Sequence, residues 1–261
     1  SLSALLFRSL RLHSDCRVID GIDDTTLTYG QLLAISVAFA KRLKKITSNR
    51  RVGIILPPGK GAAIANLGCL FAGKTPVNFN YSASEGAFAS SVKQSGVDWF
   101  ITADTFMRKL QNFPWPPQRD LILMEREIPL LKGSAKRWGL AIKFLTAGFM
   151  IKKLGLDAPT GADEAVLMFT SGTTGRSKAV MLSERNFFTT VECQVKFGDA
   201  MLDYKHEHMP EDKDDVLSNF AILPLFHLGT FICLFVWACK GWALNLSADI
   251  RDFYRDLGLM H

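Results

Sequence analysis

Val166-Leu-Met-Phe-Thr-Ser-Gly-Thr-Thr-Gly-Arg-Ser-Lys-Ala-Val180 runs an apolar segment into a block of Thr, Ser and Gly, then through two basic residues into a second apolar segment. The apolar run bounded by turn residues reads as a buried strand from Ala165 to Phe169. Gly172 and Gly175 let the backbone fold tightly enough for successive N–H groups to converge on one anion. Hydroxyls of Thr170, Ser171, Thr173 and Thr174 add donors, and the Lys178 ammonium adds a point charge suited to phosphate. A polar surface loop without a ligand is the plainer alternative, although this density of hydroxyls is unusual for a turn from a strand into a helix. The stretch is not a Walker loop, which requires Gly, four residues, then Gly-Lys-Ser/Thr. Gly175 is followed by Arg176, and at Gly59-Lys60 the flanking positions hold Ile54 and Gly61.

Outward from this segment, short β-branched runs alternate with longer amphipathic ones, the pattern of an α/β fold with mostly parallel sheets flanked by helices. An amphipathic first helix occupies the stretch up to Asp15. Leu27-Thr28-Tyr29 ends a strand, and Thr28 with Gln31 forms a capping box for a helix through Leu43. Strands are expected at Arg51–Leu56, closed by Pro57-Pro58-Gly59, at Pro76–Asn80 and at Asp98–Thr102. Helices are expected at Gly61–Ala72 and Ser84–Gln94, a loop at Asn112–Arg119, and a helix capped by Ser183 reaching about Val195. Val216–Cys239 lacks Lys, Arg, Asp and Glu, long enough to span a bilayer. Pro224, His227 and Gly229 interrupt it, so a buried strand, a loop and a buried helix are the better reading.

The chain has 261 residues, 48% hydrophobic and 21% charged, which excludes a disordered or collagen-like protein. Thirty-one basic against 25 acidic residues give a net charge of +6, unevenly placed. Lys41–Arg51 and Leu130–Leu154 each hold six basic residues and no acid, whereas Asp199–Asp215 holds seven acids and two lysines. Such clusters suit an anionic ligand or surface. In the second cluster Trp138, Leu140, Phe144 and Phe149 interleave with Lys132, Lys136, Arg137, Lys143, Lys152 and Lys153. An interfacial helix on anionic lipid has this composition, and so does a helix packed on a sheet with a solvated basic face. Nucleic-acid binding finds no recognised module. The five cysteines include no CxxC pair, which fits a reducing compartment. His206, Glu207 and His208 lie in an acidic stretch read as a solvated loop rather than a metal site.

Thr170-Ser171-Gly172-Thr173-Thr174-Gly175-Arg176-Ser177-Lys178 resembles the phosphate-binding signature of the acyl-adenylate-forming superfamily. Ser177 stands where the family usually has proline and Ala179 where it has glycine. Leu27–Leu32, Arg51–Pro57 and Leu223-Pro-Leu-Phe-His-Leu-Gly229 resemble further family blocks in the same order. Asn78-Phe-Asn-Tyr-Ser-Ala83 looks most like the acyl-acyl-carrier-protein synthetase type, often fused to a lysophospholipid acyltransferase. The resemblance implies ATP with Mg2+, a fatty acid as substrate, and an acyl carrier protein or coenzyme A as thiol acceptor. It assigns the ATP phosphates to Thr170, Ser171, Gly172, Thr173, Thr174, Gly175 and Lys178, and a gate of the carboxylate pocket to His227; from the residues alone, a lone His in an apolar run is more often a core histidine. The Thr230–Cys239 helix either lines an acyl tunnel or is ordinary core. Residues 1–261 are then expected to be the N-terminal part of an adenylation domain, ending before the adenine-binding block and the mobile lid domain, inactive alone, and cytoplasmic or at the inner face of the cell membrane. A non-catalytic acyl- or nucleotide-binding module of the same fold is the rival expectation.

Overall fold

The computed structural model describes residues 1–157, 164–170, 177–208, 218–221 and 223–247. After helix α1 (Leu2–Leu12), strands β1 (Arg17–Asp20) and β2 (Thr25–Thr28) pair antiparallel. Helix α2 (Tyr29–Ile46) follows directly, and its capping box forms as its sequence dictates: Gln31 N–H donates to Thr28 Oγ1 at 3.2 Å and Thr28 N–H to Gln31 Oε1 at 2.9 Å. Strand β3 (Arg51–Ile54), helix α3 (Lys60–Phe71), strand β4 (Thr75–Asn78), helix α4 (Glu85–Ser95) and strand β5 (Phe100–Thr102) continue the alternation. A short helix α5 (Asp104–Lys109) and strand β6 (Leu121–Leu123) lead to α6 (Met124–Phe144) and α7 (Ala147–Leu154).

The remaining described elements are β7 (Glu164–Phe169), β8 (Ala179–Ser183), α8 (Glu184–His208), β9 (Ser218–Ala221), α9 (Leu228–Lys240) and β10 (Ala243–Leu246). They complete two sheets, one in the order β2-β1-β10-β9 and the other β6-β5-β3-β4-β7-β8. Neighbours within each sheet run parallel except at β1–β2 and β7–β8. The mostly parallel α/β expectation therefore holds.

The main core lies between the sheets, where α1, α2, α3 and α9 bury their apolar faces against Val18, Leu244 and Leu246 on one side and Val52, Ile54 and Val166 on the other. Sheet pleating sends alternate residues of β7 to opposite faces. Val166 and Met168 join this core, while Leu167 joins a second core of aromatic residues beneath α4 and α5. Both faces of β7 are covered, which is why it reads as a continuous apolar run. Gly53 in β3 is required by the second core: a Cβ there would lie 2.5 Å from the Phe100 ring and 2.9 Å from that of Phe79.

Two expectations need correction, and packing bears on the alternatives left open for α9. Leu130–Leu154 is two helices, because Leu145 is extended and the Thr146 hydroxyl caps α7 by accepting from Phe149 N–H at 3.3 Å. The helix capped by Ser183 continues to His208, so Glu207 and His208 belong to its last turn rather than to a loop. Helix α9 is core: Phe231 and Phe235 stack edge-on with Phe187, and the adjoining cavity holds only about 10 Å³. No helix of the described residues is long and apolar enough to cross a membrane.

Candidate functional site

Strand β7 pairs antiparallel with β8, from Glu164 opposite Ser183 to Phe169 opposite Ala179. The segment that carries the Thr/Ser/Gly block therefore connects two antiparallel strands, not a strand and a helix. The stem closes on Thr170 and Lys178: Thr170 N–H donates to the Lys178 carbonyl at 3.1 Å, and Lys178 N–H approaches Thr170 Oγ1 at 3.4 Å. Both side chains are exposed, and Lys178 has no ion-pair partner among the described residues. Ser171, Gly172, Thr173, Thr174 and Gly175 lie outside the described residues. Because β7 is parallel to β4, Thr170 and Lys178 close the stem at the carboxyl end of the parallel strands, where open α/β sheets bind ligands.

Gln94, which no sequence pattern marked, grips the hairpin from α4. Its primary amide carries a donor and an acceptor, as a peptide group does. Nε2 donates to the Ser177 carbonyl at 3.0 Å and Oε1 accepts from Ala179 N–H at 3.1 Å, so the two residues flanking Lys178 are held by one side chain. On the far side of β8, Ser183 and Asn186 form a reciprocal cap at the start of α8, with Asn186 N–H donating to Ser183 Oγ at 3.1 Å and Ser183 N–H to Asn186 Oδ1 at 3.3 Å.

His227 stands at the start of α9, exposed, so it is not a core histidine. Its N–H donates to the Pro224 carbonyl at 3.0 Å and its carbonyl accepts from Phe231 N–H at 3.0 Å, which fixes the turn while leaving the imidazole outside it. Aromatic contacts tie this turn to the hairpin. The Phe169 ring lies 5.6 Å from Phe79, just past β4. Two residues on, Tyr81 meets Phe226 edge-on at 5.1 Å, and Phe226 lies 4.6 Å from His227. The two motifs, 49 positions apart between Lys178 and His227, are thereby joined through the segment after β4. Tyr81 and Phe226 each lie within a stretch singled out from the sequence, but nothing local in either signals that the two rings meet.

At the opposite end of β7 the Glu164 carboxylate takes a bidentate pair from Arg51, at 2.8 Å from Nε and 2.5 Å from Nη2. The Arg51 guanidinium holds the Glu164 carboxyl below the usual carboxylate range, against the opposing effect of burial. Arg51 Nη1 also donates to the Ser95 carbonyl at 2.9 Å, so one guanidinium joins β3, β7 and the end of α4.

The described side-chain groups at the carboxyl end with a chemistry suited to an anion are the exposed Thr170 hydroxyl and Lys178 ammonium. Among the described residues no group of three or more His, Cys, Asp or Glu is gathered to hold a metal ion. Glu207 and His208 sit in the terminal turn of α8, with His208 Nδ1 2.9 Å from the Tyr204 carbonyl.

The architecture matches solved structures of low sequence identity. The N-terminal domain of FACL13 from Mycobacterium tuberculosis aligns over 98% of this chain and 60% of its own, with a TM-score of 0.66 at 17% identity. O-succinylbenzoate coenzyme A synthetase from Bacillus subtilis, in complex with ATP and magnesium ion, aligns over 97% and 60% with a TM-score of 0.62 at 17% identity. In sequence the chain is similar to 4-coumarate–CoA ligase 5 of Oryza sativa subsp. japonica, 26% identical over 81% of this chain and 36% of that protein. It is also similar to long-chain-fatty-acid–CoA ligase ACSBG2 of Rattus norvegicus, 27% identical over 78% of this chain and 30% of that protein. The chain thus spans about a third of the length of these relatives. The model of the AMP-binding enzyme family matches residues 6–258, nearly the whole chain, and the protein belongs to that family.

Proposed function

We propose that this chain is part of an acid–thiol ligase, which uses ATP to join a carboxylic acid to AMP and then passes the acyl group to a thiol. A carboxylate oxygen attacks the α-phosphorus and the bond to pyrophosphate breaks; the thiol sulfur then attacks the acyl carbonyl and AMP leaves. The observation that carries this reading is the antiparallel β7–β8 stem, which presents the exposed Thr170 hydroxyl and Lys178 ammonium where the chain enters and leaves the Thr/Ser/Gly segment. Charge gathers on the departing pyrophosphate, so donors fixed before the reaction stabilise the transition state without reorganising. Thr170, Ser171, Gly172, Thr173, Thr174, Gly175 and Lys178 are assigned to the phosphates. His227, exposed at the head of α9 beside Phe226, is assigned to the wall of the carboxylate pocket. Magnesium, when bound, supplies charge neutralisation at the phosphates; it retains waters and takes phosphate oxygens, which suits a site whose described residues offer hydroxyls rather than a carboxylate cage.

Coenzyme A is the favoured acceptor, because the similar proteins are named as CoA ligases of aryl and long-chain fatty acids. An acyl carrier protein rests only on the likeness of Asn78–Ala83. Contact with a bilayer through residues 130–154 belongs to the same reading, since long-chain acids partition there. With about a third of its relatives' length in hand, we assign the remaining nucleotide contacts to sequence beyond these 261 residues. Pyrophosphate–ATP exchange against fatty, aryl and amino acids, run on this chain and on the longer protein that contains it, tests the proposal. Exchange by the longer protein with fatty or aryl acids, and none by the 261-residue chain, is expected. A silent longer protein overturns the enzyme reading in favour of a non-catalytic module, and exchange by the chain alone overturns the division of the site. Replacing Thr173 and Thr174 with Ala in the active form raises the ATP concentration for half-maximal exchange by about tenfold, the scale of hydrogen bonds to a charged group.

A further inference from the structure

The two basic stretches, Lys41–Arg51 and Leu130–Leu154, are far apart in sequence but adjacent in the fold. The end of α2 packs on α6, with the Lys41 ammonium 4.4 Å from the centre of the Trp138 ring, and α7 lies across a groove from α2. Lys41 and Lys44 from α2 and Lys153 from α7 surround a groove of about 130 Å³ floored by Phe71, Leu154 and Leu156.

Beside the groove, α6 turns its inner face to the core through Leu131 and Ile142 and leaves the opposite face open. At 100° per residue Leu140 lies near the centre of that open face and Phe144 close by, with Lys136 and Lys143 on one flank and Arg137 on the other. Leu140 is 60% exposed, Phe144 74%, and Phe149 of α7 51%. The acids of α6 and α7 are only Glu125 and Glu127, and both are spent internally. Glu127 pairs with Arg42 at 2.7 Å, and Glu125 accepts from the N–H groups of Asp104 and Thr105 at 3.0 and 3.1 Å. None of Lys41, Lys44, Lys136, Arg137, Lys143 or Lys153 has an ion-pair partner among the described residues.

We propose that the α2–α6–α7 face docks on an anionic lipid bilayer, with Leu140, Phe144 and Phe149 entering the acyl boundary and the Lys41–Lys44–Lys153 groove taking a phosphate headgroup. The proposal extends the reading of residues 130–154 as an interfacial segment and adds the α2 lysines and the groove to it. Charge complementarity selects a surface that is both negative and apolar beneath. Bulky exposed apolar side chains framed by cations gain from burial below a headgroup layer, which a soluble polyanion does not offer.

Co-sedimentation with vesicles of phosphatidylcholine, alone or with added phosphatidylglycerol, tests this without ATP or acid, so its failure leaves the ligase proposal standing. The chain sediments with the anionic vesicles, little with the neutral ones, and releases as salt rises. Lys136→Glu with Lys143→Glu weakens binding at least about tenfold, as does Phe144→Ser with Phe149→Ser. Lys44→Glu with Lys153→Glu weakens it to a similar degree and abolishes the advantage of a phosphate-bearing anionic lipid over an anionic detergent in neutral vesicles. All six positions are exposed, and circular dichroism unchanged from wild type shows that the variants fold. Equal binding to both vesicle types, no binding to either, or variants that bind like wild type overturns the proposal. So does a single-stranded oligonucleotide that displaces the vesicles and binds the Phe144→Ser/Phe149→Ser variant as tightly as the wild type.

Discussion

Strand β7 is built differently at its two ends. At the amino end Glu164 is buried and held by both nitrogens of an Arg51 fork, with the Thr75 hydroxyl near its carbonyl at 3.5 Å. At the carboxyl end the strand opens into the Thr170–Lys178 hairpin, whose described polar groups face water and whose grip from outside is one Gln94 amide. The anchoring is placed away from the chemistry. On the proposed function, donors meant for a ligand stay unspent in the free protein, and the rigidity that would aim them comes from the far end of the strand and from the aromatic layer between. Phe79 is the pivot of that layer, touching Phe88, Phe100 and Phe169 within 5.6 Å.

Breaking the comparison at its pivot has the largest effect. Phe79→Ala removes a fully buried ring and costs about 4 kcal/mol in urea unfolding; a loss below about 1 kcal/mol shows that the aromatic layer does not carry the hairpin. Glu164→Ala strands a partly buried guanidinium and costs about 3 kcal/mol. Because the folded-state pKa of Glu164 is lowered, the carboxylate contributes stability above its unfolded pKa, and that contribution is lost as pH falls through the folded value. The gap between wild type and Glu164→Gln in urea midpoint is therefore widest at neutral pH and closes in acid. A gap that stays constant down to pH values below the carboxylate range removes the ion pair from the argument.

The sequence made these two ends unequally legible. The hydroxyl-rich segment announced itself through composition, because six consecutive Thr, Ser and Gly residues from Thr170 to Gly175 offer no apolar side chain to a core. The α/β alternation, the Thr28–Gln31 box and the Ser183 cap were legible because each depends on neighbours within four residues. Whether the segment joined a strand to a helix or to another strand was not, since Ala179–Ser183 is short and its burial is set by β7 rather than by its own pattern. Helix α7 was hidden for a related reason: Thr146 caps it with no proline at the break, and Gly148 falls inside the first turn of α7 rather than between the helices. Gln94 and the Arg51–Glu164 fork are long-range pairings, 85 and 113 residues apart, and nothing local in either partner signals the other. The approach of His227 to the hairpin through Tyr81 and Phe226 is likewise a product of sheet order.

Gln94 sharpens the comparison further. Gln94→Ala removes the two hydrogen bonds to the hairpin, along with one to Ser90 Oγ, at an exposed edge and costs about 1 kcal/mol or less globally, while amide exchange at Ala179 accelerates several-fold against unchanged exchange in β3. Gln94→Glu keeps the acceptor for Ala179 N–H but loses the donor to the Ser177 carbonyl and sets a carboxylate beside Lys178. If the hairpin holds phosphate, ATP affinity in the longer protein falls more for Glu than for Ala. An order reversed, or equal losses, detaches Gln94 from the anion site and leaves it a clamp on an edge strand.

The smallest effect is at Thr170. Its backbone N–H already closes the stem on the Lys178 carbonyl at 3.1 Å, and the hydroxyl adds only a long contact from Lys178 N–H at 3.4 Å. Thr170→Val preserves the shape of the side chain and deletes that acceptor, so stability moves by about 0.5 kcal/mol at most. The same hydroxyl is free to donate outward, and its loss weakens ATP binding about threefold while Thr170→Ser restores it. Stability and affinity are thus expected to separate here, whereas the effect expected at Glu164 is on stability. A Thr170→Val protein that binds ATP as tightly as wild type assigns the hydroxyl to the stem alone and moves the first ligand contact into the loop beyond it.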